Sequence, residues 1–332
     1  MSIMRRMRVL AALFFGLGLI TATSLAMAGE TVRVGVLKFG TVNWEIDTIR
    51  HYELDRKNGI ELDVVPLAGN EATRIALLSG AVDIIVSDWL FVSRQRAEGM
   101  ALAFIPYSTS VGAIMVPPGS DIATLADLKG KTIGVAGGPL DKSWLMLRGL
   151  AEGKAGFDLA AETTQAFAAP PLLVEKLRQG ELDAAVNYWH YNARLEAEGY
   201  RLLVSAQAAA AALGANGDIS AIGYVFNETW ANDNARTVLG FVQASRDAKA
   251  LLAASDEAWG RLKPMMKAND EAVFETLVKR YRQGIPSRPI AEEEADTARI
   301  YDYLAKVGGE KLVGKAKAMA PGTFWSVLTN GN

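Results

Sequence analysis

Four tryptophans recur in two pairs separated by 100 positions, Trp44 with Trp144 and Trp89 with Trp189. An indole offers a wide apolar face and one N–H donor, which suits stacking against a flat, conjugated molecule. Lys38 and Lys142 lie close by in sequence and supply positive charge for acidic groups on such a molecule. Asp88 and Asp141 are placed to orient donors or to cap helices. Tyr188 and His190 flank Trp189 as further hydrogen-bonding groups. These residue types suit the binding of an organic anion rather than bond-breaking chemistry. The 332 residues include no Cys and two His, His51 and His190. That excludes disulfides, thiolate zinc sites, iron–sulfur clusters and a cysteine nucleophile. There is no G-x-S-x-G elbow, no H-E-x-x-H and no carboxylate pair beside a base. No metal or cofactor is expected, a carboxylate site for a hard cation being the one route left. A formal charge of −2 gives no reason to expect nucleic acid as a partner.

The elements that must position these groups are α/β throughout. Thr31 to Leu37, Ile60 to Leu67, Ala81 to Ser87 and Ala101 to Tyr107 read as strands, with helices between them. The same alternation returns in strands at Gly112 to Pro117, Thr132 to Ala136, Leu182 to Asn187 and Tyr200 to Ser205. Ile222 to Phe226 is a further strand, Ala206 to Asn216 is Ala-rich and weakly specified, and nearly everything after Asn232 is helical. Strands alternating with helices of about 10–15 residues predict largely parallel sheets.

The repeat extends beyond the tryptophans. Residues 80–99 and 180–199 align without a gap and are identical at eight of 20 positions, including Asp83/Asp183, Arg94/Arg194 and Gly99/Gly199. This predicts two similar lobes. In open α/β sheets ligands sit beyond the carboxyl ends of the strands. Two facing lobes would bring both sets of strand-end loops to one interdomain cleft. All four tryptophans fall just after strands, where that cleft would be; the competing reading is that each packs its helix onto its sheet. Gly137-Gly138 precedes the helix at Lys142 and would bring backbone N–H groups and a positive helix end to an anion, or would simply make a tight turn. Arg94, Arg148 and Arg194 are further cationic candidates, with Arg94 and Arg194 expected on solvated helix faces. Asp83 and Asp183 lie at strand starts and are expected to be structural.

The first 28 residues read as an export signal: Arg5, Arg6 and Arg8, then the apolar run Val9 to Ile20, then Ala26-Met27-Ala28. The apolar run is too short for the roughly 20 residues of a membrane span. No Cys follows it, so a lipoprotein is excluded and a soluble periplasmic protein is expected.

Leu125-Ala126-Asp127-Leu128-Lys129-Gly130-Lys131-Thr132-Ile133-Gly134-Val135 resembles the domain-start signature of bacterial periplasmic solute-binding proteins. Val82-Asp83-Ile84-Ile85-Val86 after Gly80, and Leu182-Asp183-Ala184-Ala185-Val186 after Gly180, resemble their paired Gly-x-x-Asp strands. The layout is similar to the nitrate/sulfonate/taurine and thiamine-pyrimidine, or NMT1-like, branch of ABC-transporter binding proteins. The resemblance implies a type II-like two-lobe periplasmic-binding-protein fold, each lobe a mainly parallel sheet flanked by helices, with a helical C-terminal third. It implies lobe one at 29–110 plus 227–332, lobe two at 111–226, and hinge closure on the ligand. It also implies a monomer that delivers its ligand to an inner-membrane ABC permease and its ATPase. The branch includes a fungal thiamine-pyrimidine synthase, whose cysteine cluster is impossible here; a ligand sensor for a signalling partner is the other alternative.

The loops Lys38-Phe39-Gly40-Thr41-Val42-Asn43-Trp44, Ser87-Asp88-Trp89 and Gly137-Gly138-Pro139-Leu140-Asp141-Lys142-Ser143-Trp144 also resemble a subgroup associated with quinoprotein alcohol oxidation. They add Phe39, Thr41, Asn43, Gly138 and Ser143 to the expected ligand contacts. The ligand expected from this resemblance is pyrroloquinoline quinone, a planar tricarboxylate, with a sulfonate, taurine-type or thiamine-pyrimidine ligand as the alternative.

Overall fold

The computed structural model describes residues 29–329. The expected export signal at 1–28 lies outside the described residues. The first half runs β1 (Glu30–Leu37), α1 (Val42–His51), β2 (Ile60–Leu67), α2 (Asn70–Leu78), β3 (Ile84–Ser87), α3 (Trp89–Ala97) and β4 (Leu102–Ser108), counting helices longer than one turn. Then follow β5 (Ala113–Val116), β6 (Thr132–Ala136), α4 (Lys142–Ala155), β7 (Thr164–Ala168), α5 (Pro170–Arg178), β8 (Ala184–Asn187), α6 (Trp189–Ala197), β9 (Arg201–Ser205) and α7 (Ala206–Ala212). The chain finishes with β10 (Ile222–Asn227), α8 (Glu228–Asp233), α9 (Ala235–Ala254), α10 (Asp256–Met266), α11 (Glu271–Gln283) and α12 (Ile290–Val313).

Two five-stranded sheets result, in the orders β2-β1-β3-β10-β4 and β7-β6-β8-β5-β9. The orders superpose strand for strand. In each sheet one strand runs against the other four: β10 in the first and β5 in the second. Those are the strands that follow each passage between the sheets. The second passage lies between Ala212 and Ile222, so the lobe boundary expected at 226/227 falls earlier in the chain. The reason is pairing: Tyr224 and Val225 lie between Val86/Ile85 of β3 and Ile105/Phe104 of β4, in the first sheet. The first passage between the sheets lies between Ser108 and Ala113.

The duplicated aspartates do the same work twice. Asp83 accepts from the backbone N–H of Arg33 on β1 at 2.8 Å, and Asp183 from that of Thr132 at the start of β6 at 2.7 Å. Each carboxylate pins the start of one parallel strand to the next, as a structural role requires. Gly80 and Gly180 end equivalent helices at φ +72° and +74°, a conformation glycine adopts without Cβ strain.

Strand burial explains the core. Val32, Val34 and Val36 alternate inward on β1 and are closed to solvent. The largest apolar cluster spans both sheets, joining Ile85 and Val225 of the first, Ile133 and Val186 of the second, and Ile300 and Tyr301 of α12. A third cluster joins α1, α6, α10 and α11 through Trp44, Ala193, Trp259 and Tyr281. The helical C-terminal third therefore packs against both lobes. Among the described residues no helix is long and apolar enough to cross a membrane.

Candidate functional site

In both sheets the parallel strands β1 and β3, and β6 and β8, end side by side. The loops after them carry most of the residues singled out by sequence. The Lys38–Thr41 loop and Asp88 follow β1 and β3; Gly137–Asp141 and Tyr188 follow β6 and β8. The two edges meet directly. Lys142, the first residue of α4, lies 3.3 Å from the Asp88 carboxylate across the lobes. Arg74 on α2 donates to the same Asp88 oxygen at 3.1 Å. The other Asp88 oxygen accepts from the Phe91 N–H at 2.8 Å and caps α3. Burial alone would raise the Asp88 carboxyl, but Lys142 and Arg74 outweigh it and hold it below the ordinary carboxylate value.

Asp141 caps α4, accepting from the Trp144 N–H at 3.0 Å. It shares a tight turn with Tyr188: a methyl group at Gly137 would come within 2.8 Å of the Asp141 carboxylate and 3.1 Å of the Tyr188 hydroxyl. Gly137 also has φ +79°, so both conformation and space demand glycine. Burial pushes the Asp141 carboxyl up, against the pull of Lys142. Burial and the Asp141 charge push the Tyr188 hydroxyl up. The neighbouring Gly138, at φ +87°, faces open space. Ser143 is tied elsewhere: its hydroxyl accepts from the Gly112 N–H at 3.2 Å, in the passage between the lobes.

A cleft of about 930 Å³ is lined by both lobes and by the end of α10; Asp88, Gly138, Asp141, Lys142, Ser143 and Tyr188 are not in its wall. Lys38, Phe39, Thr41, Asn43 and Trp44 line one wall and His190 the other. Asn43 shapes its own loop, its amide donating to the carbonyls of Leu37 at 3.0 Å and Gly40 at 3.3 Å. Phe39 is 77% exposed, a large aromatic held open to solvent at the mouth. His190 packs on Tyr191 with ring centroids 4.4 Å apart. Burial, with the nearby Arg194 charge, lowers its pKa to about 4, so it is neutral at pH 7.

The tryptophans divide. Trp89 and Trp144 are 2% and 1% exposed and sit inside the large core cluster. The expectation that they offer faces to a ligand is corrected. Each falls in the first turn of a helix lying on its sheet, and burying an indole there removes a large apolar area from water. Trp44 is closed in by Trp189, Trp259 and Tyr281, with centroids 6.0, 6.1 and 6.2 Å away. Trp189 is half-buried and lines a separate cavity of about 320 Å³ with Asn192, Glu196 and Arg280.

Sequence reasoning missed part of the wall: Asp47, Arg50 and His51 on α1, Tyr191 on α6, and Met265, Met266 and Lys267 at the end of α10. Asp47 and His51 follow Trp44 at i+3 and i+7, so that face of α1 was a usable signal; Arg50, at i+6, lies off it. Nothing local connects residues 265–267 with the cleft. Arg194, expected on a solvated face, instead donates to the Met266 carbonyl at 2.6 Å and the Lys267 carbonyl at 3.3 Å. Arg148 is held by Asp158 through two hydrogen bonds, of 2.8 and 2.7 Å, and takes no part. Among the described residues no cluster of acids and histidines is arranged to hold a metal ion.

Comparison with solved structures places the fold among periplasmic binding proteins. The periplasmic aliphatic sulphonate binding protein SsuA from Escherichia coli superposes at a TM-score of 0.71 with 19% identity, covering 90% of this chain and 92% of that one. The alkanesulfonate-binding protein SsuA from Xanthomonas axonopodis pv. citri, bound to MOPS, gives 0.66 with 17% identity over 90% and 99%. A putative periplasmic sulfonate-binding protein from Methylobacillus flagellatus gives 0.66 with 17% identity over 91% and 94%. No curated protein matches the sequence. The profile of the NMT1/THI5 like family matches residues 56–258, well over half of the chain. With its duplicated α/β lobes and the cleft between them, the chain belongs to the NMT1/THI5-like family.

Proposed function

We propose that this protein is a periplasmic binding protein that captures a small organic anion in the interlobe cleft and delivers it to an ABC permease and its ATPase. The observation that carries this reading is the cleft itself, where cationic and aromatic side chains from two lobes converge on one space. Lys38, Arg50 and Arg194 bring positive charge, and Asp47, the acid among them, is already paired with Arg261. Phe39 and Tyr191 bring aromatic surface. A flat anion would gain from both, charge-assisted hydrogen bonds at its rim and ring contacts on its face. Pyrroloquinoline quinone, a planar tricarboxylate, is the ligand proposed first. With Trp89 and Trp144 in the core and Trp44 closed in by its neighbours, its stacking partners are Phe39 and Tyr191. The solved relatives named as sulfonate-binding proteins favour a second reading, a sulfonate, which shares the anionic head. Binding without catalysis, export to the periplasm and a monomeric state belong to the same proposal.

Titration of the purified protein with pyrroloquinoline quinone and with an alkanesulfonate tests it. Quenching of tryptophan fluorescence and a raised melting temperature at micromolar ligand are expected for the true class. A protein that responds to neither has a different function. Small-angle scattering with and without ligand should show a smaller radius of gyration in the bound form.

A further inference from the structure

Lys267 is an unusual residue for its place. It follows the last turn of α10 at φ 51° and ψ 43°, the left-handed position where helices commonly end on glycine. A side chain there costs about 1–2 kcal/mol of backbone strain. The lysine side chain reaches the cleft and sets its ammonium 5.6 Å from the ring centroid of Phe39 on the opposite wall. Lys263, one turn earlier, pairs with Glu271, whereas Lys267 has no ion-pair partner among the described residues. Its backbone is clamped from the second lobe, since Arg194 holds both the Met266 and Lys267 carbonyls. The ammonium is therefore brought over Phe39 when the lobes are together. Phe39 itself is exposed, so a flat molecule can lie against its ring and turn an acidic group on its rim toward the ammonium.

We infer that Lys267 and Phe39 form a specificity clamp that selects a ligand bearing its anionic group directly on an aromatic ring. The ring stacks on Phe39 while the acidic group replaces the weaker cation–π contact of Lys267 with a charge-assisted hydrogen bond. An alkyl anion satisfies the ammonium but leaves Phe39 with no flat partner. This rests on the reading of the cleft given above, and deepens it by naming the ligand class.

Calorimetric titrations of wild type, Lys267→Met, Lys267→Gly, Lys267→Arg and Phe39→Ala, with pyrroloquinoline quinone and with hexanesulfonate, test the clamp. Lys267→Met and Lys267→Gly should each weaken quinone binding by about ten-fold or more. Lys267→Gly should do so without lowering the melting temperature, because glycine relieves the left-handed strain. Lys267→Arg should stay within about three-fold of wild type, keeping the charge. Phe39→Ala should weaken the quinone more than the alkyl probe. Quinone binding unchanged in Lys267→Met overturns the clamp and leaves the cleft reading intact. Wild type that binds only hexanesulfonate overturns the aromatic selectivity alone. Wild type that binds neither probe overturns the cleft reading and the clamp together.

Discussion

Trp44 and Trp189 meet edge to face across the two lobes, ring centroids 6.0 Å apart and planes at 87°. They come from opposite halves of the repeat, yet each one's counterpart in sequence, Trp144 and Trp89, is buried in a different cluster. The two kinds of tryptophan should therefore respond differently to truncation. Trp89→Ala and Trp144→Ala each open a core cavity and should cost about 3–5 kcal/mol in denaturant unfolding. Ligand affinity in the surviving folded protein should be unchanged. A large affinity loss with little loss of stability would contradict the core assignment.

Asp88 and Lys142 join the lobes at the strand ends, and the joint should be measurable. Lys142→Met leaves Asp88 with Arg74 as its cation and the Phe91 N–H as its cap bond, at a cost of about 1–3 kcal/mol. The unliganded variant should show a larger radius of gyration by small-angle scattering. Because the Asp88 carboxyl is depressed in the fold, its contribution is fully present above its ordinary value of 3.8 and is lost as pH falls through its folded value. An unchanged radius in Lys142→Met would rule out this contact as a closure element.

His190 predicts a second acid dependence at higher pH. Its ordinary pKa of 6.5 is lowered to about 4 by burial and Arg194. Between those values the unfolded chain binds a proton that the folded chain does not, so stability rises with pH. Unfolding at pH 7 should require roughly 1–3 kcal/mol more than at pH 4 through this group, after allowance for its partial exposure. His190→Gln should flatten that slope, and a slope identical to wild type would assign it to other groups.

Glu45 and Lys249 form a buried pair behind Trp44, 2.5 Å apart. Glu45 also accepts from Tyr224 at 2.5 Å, Ser245 at 2.6 Å and Tyr281 at 3.2 Å. Lys249→Met leaves a fully buried carboxylate with its three hydroxyl donors but no counter-charge, and should cost about 3–5 kcal/mol. Adding Glu45→Gln should recover part of that loss in a double-mutant cycle. A strictly additive double variant would show that the pair is not coupled.

Exhaustive chelation should leave ligand binding unchanged, since the one acid in the cleft wall, Asp47, is paired with Arg261 and no group of acids and histidines among the described residues is arranged to hold a metal ion. Titration before and after chelator treatment checks this, and lost affinity would point to a carboxylate-bound cation.

Periodicity and turn residues by themselves determined the α/β class, most strand positions and the duplication. Ile60–Leu67 and Thr132–Ala136 match their expected spans, because strong apolar patterning acts locally. β7, at Thr164–Ala168, was not legible: it is an edge strand with little buried surface, so no alternation marks it. Lys38, Phe39, Thr41, Asn43, Trp44 and His190 lie on the cleft wall, whereas Asp88, Gly138, Asp141, Lys142 and Tyr188, also at strand ends, do not, so position after a strand narrows the candidates without selecting among them. Only the tertiary structure decided which tryptophans face a neighbour helix and which the core. Placement after a strand sets where the Cα lies, whereas the direction of the indole depends on packing between elements distant in sequence. The same holds for Lys267. No local pattern ties the end of α10 to Phe39, and it is Arg194, from the other lobe, that brings the two together.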